Sequence, residues 1–270
     1  QRASVFEAMG VPPDDALVSA ALAGICAIPL PVRAYTALMS DPAVVALPGW
    51  VPLSFAGPNA AKVLTRRSDK TLRVGIDGAF TYDGFHKVIL ERLEDVAAQA
   101  ALDRSVFAGG CAESAETSVA SLSSDMLKLY YEDYIAQWDG FLRDVTLAPL
   151  PDLRTASENL KDLSSVDSAL KRLLTAVVAE TDLARPEAAG DAAAVPSGAS
   201  KLLAKLGKIG KLAKKDAKLI PAAGSSAEID TSGQPVSDHF KPIKGALVEV
   251  DGAPPALDDT VAALTQLANV

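Results

Sequence analysis

The sequence predicts a mainly α fold: a helical body with a small β element near residues 51–76. Three observations carry that expectation. Aromatic residues make up only 5% of 270 positions while 49% are hydrophobic, with Ala and Leu abundant, a balance that favours helices over a β-sandwich. Apolar residues recur every three or four positions over most of the chain. Between Val51 and Ile76 that period breaks, and short apolar clusters alternate with turn signals. With 22% charged residues, the chain is apolar enough to bury a sizeable core.

Taken in order, Asp14 and Asp15 after Pro12-Pro13 mark a helix start, and Pro29 stops that helix. This stretch, Ala16 to Val32, is the most apolar window, but it falls short of the ~20 residues a membrane span needs and reads as a buried helix. A second helix runs from Pro31 to Met39. Val51, Leu53, Phe55, then Val63, Leu64, then Leu72, Val74, Ile76, separated by Gly57-Pro58 and Ser68-Asp69, predict two or three short strands.

Beyond Gly78, Phe85, Ile89, Leu93, Val96 and Ala100 form a helical stripe with Thr81 as its N-cap. After Gly109-Gly110, a long helix carries Leu122, Met126, Tyr130, Tyr134, Trp138, Phe141 and Val145, and Pro149 and Pro151 close it. Leu153 to Val178 reads as one broken helix or two. Phe240 to Val250 and an amphipathic segment from Ala256 to Val270 are expected to be ordered. The segments proposed are 1–110, helical with the β element; 111–183, helical; 184–236, a Lys/Ala/Gly-rich insert or linker; and 237–270, the start of a following region. The chain begins with Gln1 rather than Met, and reads as an excised piece or a processed product.

The formal charge of −8 is uneven: residues 184–236 hold eight Lys or Arg against five Asp or Glu. The remaining acidic body argues against nucleic acid as a partner. Lys201, Lys205, Lys208 and Lys211 interleave with Leu202, Leu206, Ile209 and Leu212, a basic amphipathic pattern that marks a candidate membrane-surface contact. A solvated, flexible insert is the competing reading and the favoured one.

Little in the chain suggests catalysis. The two imidazoles, His86 and His239, sit beside apolar residues and read as packing or turn residues. Gly207, Gly210 and Lys211 are followed by Leu212 rather than the Ser or Thr of a phosphate loop. Cys26 and Cys111 have no zinc-ligand spacing, and their pairing is open. No catalytic residue, metal site or cofactor is expected, and the chain is read as not an enzyme. Tyr130, Tyr131, Tyr134 and Trp138, at helical spacing, are expected to pack in a core seam.

The run Val74-Gly75-Ile76-Asp77-Gly78-Ala79-Phe80-Thr81-Tyr82-Asp83-Gly84-Phe85-His86-Lys87-Val88 resembles the "GIPGLFTYDGYHKVF" signature of the IcmF/TssM family, the inner-membrane anchors of type VI secretion systems. Leu129 to Trp138 is similar to the family's "LYLADYIRAW", Ala179-Glu180-Thr181-Asp182-Leu183 to "AENTDL", and His239 to Ile243 with Asp251 to Leu257 to "HFAPLHRLV…DGAPPPLD". Pro29 to Tyr35 resembles "PLAERAY". Asp77 departs from the family's usual Pro, and the Lys-rich insert has no counterpart.

The resemblance implies a structural role for Gly78, Phe80, Thr81, Gly84, His86, Tyr130, Tyr134 and Trp138. It implies a periplasmic scaffold segment of the inner-membrane anchor, within the trans-envelope membrane complex. Other copies of the anchor and other subunits of that complex would be the partners, with the outer-membrane lipoprotein bound through a region beyond this chain. The alternative is a peptidoglycan-binding or cell-wall-modifying periplasmic module, which would expose Tyr131, Glu132 and Trp138 in an open groove.

Overall fold

A computed structural model describes residues 15–107, 118–165, 168–186, 229–247, 255–257 and 259. The architecture is helical, as the composition predicts. α1 (Asp15–Cys26) and α2 (Leu30–Met39) are followed by three short helices, α3 (Pro42–Val45), α4 (Pro52–Ala56) and α5 (Ala60–Val63). The strand β1 (Leu64–Arg66) and a 3-10 turn at Gly78–Phe80 lead into a π-helical turn, Gly84–Ile89, which continues as α6 (Leu90–Phe107). α7 (Val119–Asp144), β2 (Val145–Leu147), α8 (Leu153–Ser164), α9 (Ala169–Thr181) and α10 (Gln234–Leu247) complete the described elements.

α7 is the axis of the fold. Ser118 caps it by accepting the N–H of Ser121, and its buried residues Leu122, Met126, Tyr130, Tyr134, Trp138 and Phe141 keep the three-and-four spacing of one face. α2, α6 and α10 all pack against α7. Leu38, Phe85, Ile89, Leu90, Leu93 and Leu173, all nearly inaccessible, belong to the same hydrophobic core. Among the described residues no helix is long and apolar enough to cross a membrane.

The small β element differs in detail from the strands expected over 51–76. Pro52–Ala56 and Ala60–Val63 are helical, because Pro52 sits in a first helical turn where its missing N–H costs nothing, and Ala60 and Ala61 carry high helix propensity. Only Leu64–Arg66 is a strand in that window, with an isolated bridge between Trp50 and Ile76. Its antiparallel partner is β2, in the register Leu64 to Leu147, Thr65 to Thr146 and Arg66 to Val145. Val145 therefore leaves α7 and joins the ladder. Asp144 fixes that exit: it pairs with Arg66 at 2.6 Å and accepts from both the N–H and the hydroxyl of Ser68. These bonds hold its carboxyl down at about 2, with the Ser68 hydroxyl the largest cause.

Leu153 to Val178 resolves into two helices, each with a side-chain cap, Asp152 for α8 and Ser168 for α9. At 229–233, ahead of α10, Asp230 and Gly233 dock on Tyr131. Gly233 has φ +71, and a Cβ there would stand 2.4 Å from that of Leu183, so only glycine fits this close approach. The Lys201, Lys205, Lys208 and Lys211 stretch lies outside the described residues, as do most of 256–270. Cys26 is disulfide-bonded; Cys111, the other cysteine of the chain, is outside the described residues.

Candidate functional site

The residues singled out in the sequence converge on one junction, where the turn at 78–86, the aromatic face of α7 and the end of α9 meet. Thr81 acts as expected of an N-cap: its Oγ1 accepts the Gly84 N–H at 3.0 Å while its own hydroxyl donates to the Gly78 carbonyl at 2.8 Å. Gly84 is confined from below, since a Cβ would lie 2.1 Å from the Gly78 oxygen. This tight turn points the carbonyls of Ala79 and Phe80 at α7.

α7 answers with polar tips on buried rings. The Tyr130 hydroxyl donates to the Ala79 carbonyl at 2.6 Å, and the Trp138 indole N–H donates to the Phe80 carbonyl at 2.9 Å. One turn along, the Tyr134 hydroxyl donates to the carbonyl of Glu180 at 2.8 Å. Tyr131, beside them, donates to the Asp230 carbonyl at 2.8 Å and accepts the Gly233 N–H at 3.2 Å. Each buried carbonyl thus gains the partner it needs away from water. Burial raises the hydroxyl pKa of Tyr130 and Tyr134 well above the ordinary tyrosine value, so both stay neutral donors.

The rings pack as a continuous ladder. Phe80 and Phe85 each stack on Tyr130 at 5.7 Å between centroids, and Tyr134 follows at 5.8 Å, edge-on to Tyr130. Trp138 meets Trp50 edge-on at 4.8 Å, and Trp50 in turn meets Phe141 at 5.3 Å. Offset and edge-on geometries of this kind add roughly 0.5–1.5 kcal/mol per pair beyond area burial.

The end of α9 is tied in by Tyr82 and Glu180, which sequence reading did not single out as site residues, and by His86, which it did. Glu180 Oε2 accepts the Tyr82 N–H at 2.8 Å, and the Tyr82 hydroxyl donates to the Arg185 carbonyl at 3.1 Å. His86 Nε2 lies 2.9 Å from the Leu183 carbonyl; a carbonyl only accepts, so Nε2 carries the proton. Desolvation raises the Glu180 carboxyl above its usual range. Tyr82 and Glu180 each lie in a stretch that carries the family resemblance, which was the available signal. Trp50 and Phe55, stacked at 5.4 Å, had none.

Chemically, the junction is a structural clamp. Its imidazole, hydroxyls and indole are engaged by backbone carbonyls. Among the described residues no group of three or more His, Cys, Asp or Glu could hold a metal ion. Trp138 is fully buried and Tyr131 is 6% exposed, so neither lines an open groove with Glu132.

Comparison with known proteins agrees with the motifs. The IcmF-related family, described as "Intracellular multiplication and human macrophage-killing", matches residues 3–182. The chain is similar to the type VI secretion system component TssM1 of Pseudomonas aeruginosa, at 30% identity over 200 residues. That match covers 73% of this chain and 17% of the relative, so the chain spans about a sixth of that protein's length. No solved structure matches.

Proposed function

Since this chain belongs to the IcmF-related family, we propose that it is a periplasmic scaffold segment of a type VI secretion inner-membrane anchor, acting by holding shape rather than by catalysis. The observation that carries the reading is the junction itself: motif residues 78–86, 130–138 and 180–183 spend their polar groups on one another. Residues used this way fix relative position.

The periplasmic part of the reading is supported by Cys26, whose disulfide is of the kind that persists in oxidising compartments. Self-association, contact with other membrane-complex subunits, and a lipoprotein contact beyond this chain are part of the same proposal, as the family resemblance implies.

Two measurements test this. In a bacterium carrying the full-length anchor, Trp138→Ala should abolish secretion and reduce recovery of the anchor in membrane complexes; normal secretion would refute a scaffold role for this segment. Thiol alkylation of intact cells, without reductant, should leave Cys26 unmodified until the disulfide is reduced. Full alkylation beforehand would argue for a reducing compartment.

A further inference from the structure

On the solvent flank of the junction, polar groups retain capacity that the packing does not use. A hollow of about 450 Å³ opens beside Trp50, Phe55, Tyr82, Glu180 and Arg185. A second, of about 490 Å³, lies on the other side of Phe55 along α9, reaching Thr175 and Arg172. Phe55, 42% exposed, and Glu180 line both, so the two hollows adjoin at those side chains.

Glu180 uses Oε2 on the Tyr82 N–H, and its Oε1 has no protein donor among the described residues. The Arg185 guanidinium lies 3.9 Å from the Tyr82 ring centroid, and among the described residues its N–H groups donate to no acceptor. The two side chains attract electrostatically without ion-pair contact. A half-buried acceptor and a set of fixed donors therefore sit side by side on one groove.

That pairing selects a ligand group that both donates and accepts. A carboxylate would be repelled by Glu180 and an ammonium by Arg185, whereas a secondary amide satisfies both. The aromatic faces decide between the two macromolecules that carry such amides. An N-acetylated sugar needs a broad open ring face to stack on, but Arg185 covers Tyr82, Trp50 is only 4% exposed, and Phe55 has one face stacked against Trp50. Phe55 offers a small apolar contact suited to one side chain, and the groove continues on both sides of it. We propose that this groove binds an extended peptide segment of a partner protein, seating a backbone amide between Glu180 and Arg185 and an apolar side chain on Phe55. The proposal stands independently of the secretion reading.

The chain has two tryptophans, one on the groove and one in the core, so their indole N–H resonances give a reporter and a control. Titrating the ¹⁵N-Trp-labelled protein with the blocked dipeptide N-acetyl-leucyl-alanine methylamide should shift the Trp50 signal saturably and leave Trp138 in place. Arg185→Met, which keeps contact with Tyr82 but removes the donors, and Phe55→Ser should each weaken binding by about tenfold or more, the factor expected for losing a charge-assisted hydrogen bond or a buried apolar contact. An unmoved Trp138 signal verifies that each variant is folded. A Trp50 signal unmoved by the dipeptide would overturn the proposal. So would a shift retained in both variants, or one produced by N-acetylglucosamine instead of the dipeptide.

Discussion

Trp138 and Trp50 make a matched pair for separating packing from hydrogen bonding. Both are buried, at 0% and 4% exposure, and they touch edge-on at 4.8 Å. Replacing either with Phe removes a similar volume. They differ in one atom: Trp138 Nε1 donates to the buried Phe80 carbonyl, while Trp50 Nε1 is buried and has no hydrogen-bond partner among the described residues. Trp138→Phe therefore leaves a buried acceptor unpaired, which costs about 1–3 kcal/mol on top of lost packing. Trp50→Phe removes a donor that was already unsatisfied and loses packing alone. Urea unfolding followed by far-ultraviolet circular dichroism should place Trp138→Phe below Trp50→Phe by about 1–3 kcal/mol at unchanged m-value. Trp138→Ala, which also opens a cavity, should cost about 3–5 kcal/mol, a large part of the ~5–15 kcal/mol a domain holds. Equal midpoints for the two Phe variants would refute the argument that the indole-to-carbonyl bond anchors the turn at 78–86.

Tyr131→Phe removes the donor to Asp230 and the acceptor for Gly233, so hydrogen exchange should accelerate over 229–247 while α7 stays protected; unchanged exchange there would refute the docking role. Gly84→Ala drives a Cβ into the Gly78 carbonyl, and should lower the melting temperature by several degrees, equivalent to about 1–3 kcal/mol of overpacking. Asp144 titrates at about 2 in the folded chain against an ordinary 3.8, so it stabilises above about pH 4 and that contribution is lost as pH falls toward 2. Asp144→Asn should accordingly flatten the acid limb of a stability–pH curve, and a wild-type-like limb in the variant would show that the Arg66 and Ser68 contacts do not set it. Glu180 carries the opposite sign: its raised carboxyl contributes stability that is fully present below the unfolded pKa and is lost as pH rises from there through the folded pKa. Glu180→Gln, which retains an oxygen for the Tyr82 N–H, should lose this dependence in thermal melts across mildly acidic pH.

Helices announced themselves through spacing because each buries one continuous face: Tyr130, Tyr134 and Trp138 recur with the turn of α7 and end up on one side of it. The Thr81 cap was legible for the same local reason. The strand pair was not. Leu64–Arg66 finds its partner about 80 residues away, and Val145, which starts β2, falls in phase with the helical stripe before it. Nothing local distinguishes a last helical turn from a first strand residue there; the deciding contact is Arg66 with Asp144. Pro52 and the alanines at 60 and 61 were the overlooked sign of helix within the supposed strands. At the junction, the sequence named the members of the clamp but not its geometry. Trp50 and Arg185 enter through long-range packing, which no local pattern encodes.

The four side chains that tip α7 reach main-chain atoms of three segments drawn from distant parts of the chain, at 79–80, 180 and 230–233. In mechanical terms these attachments act in parallel on one rod. A pull on any one segment is shared through the rod before a single bond is stretched to breaking, and rupture requires several short-range contacts to fail together. A body wired this way yields abruptly rather than creeping, so displacement imposed at one end reaches the other with little slack.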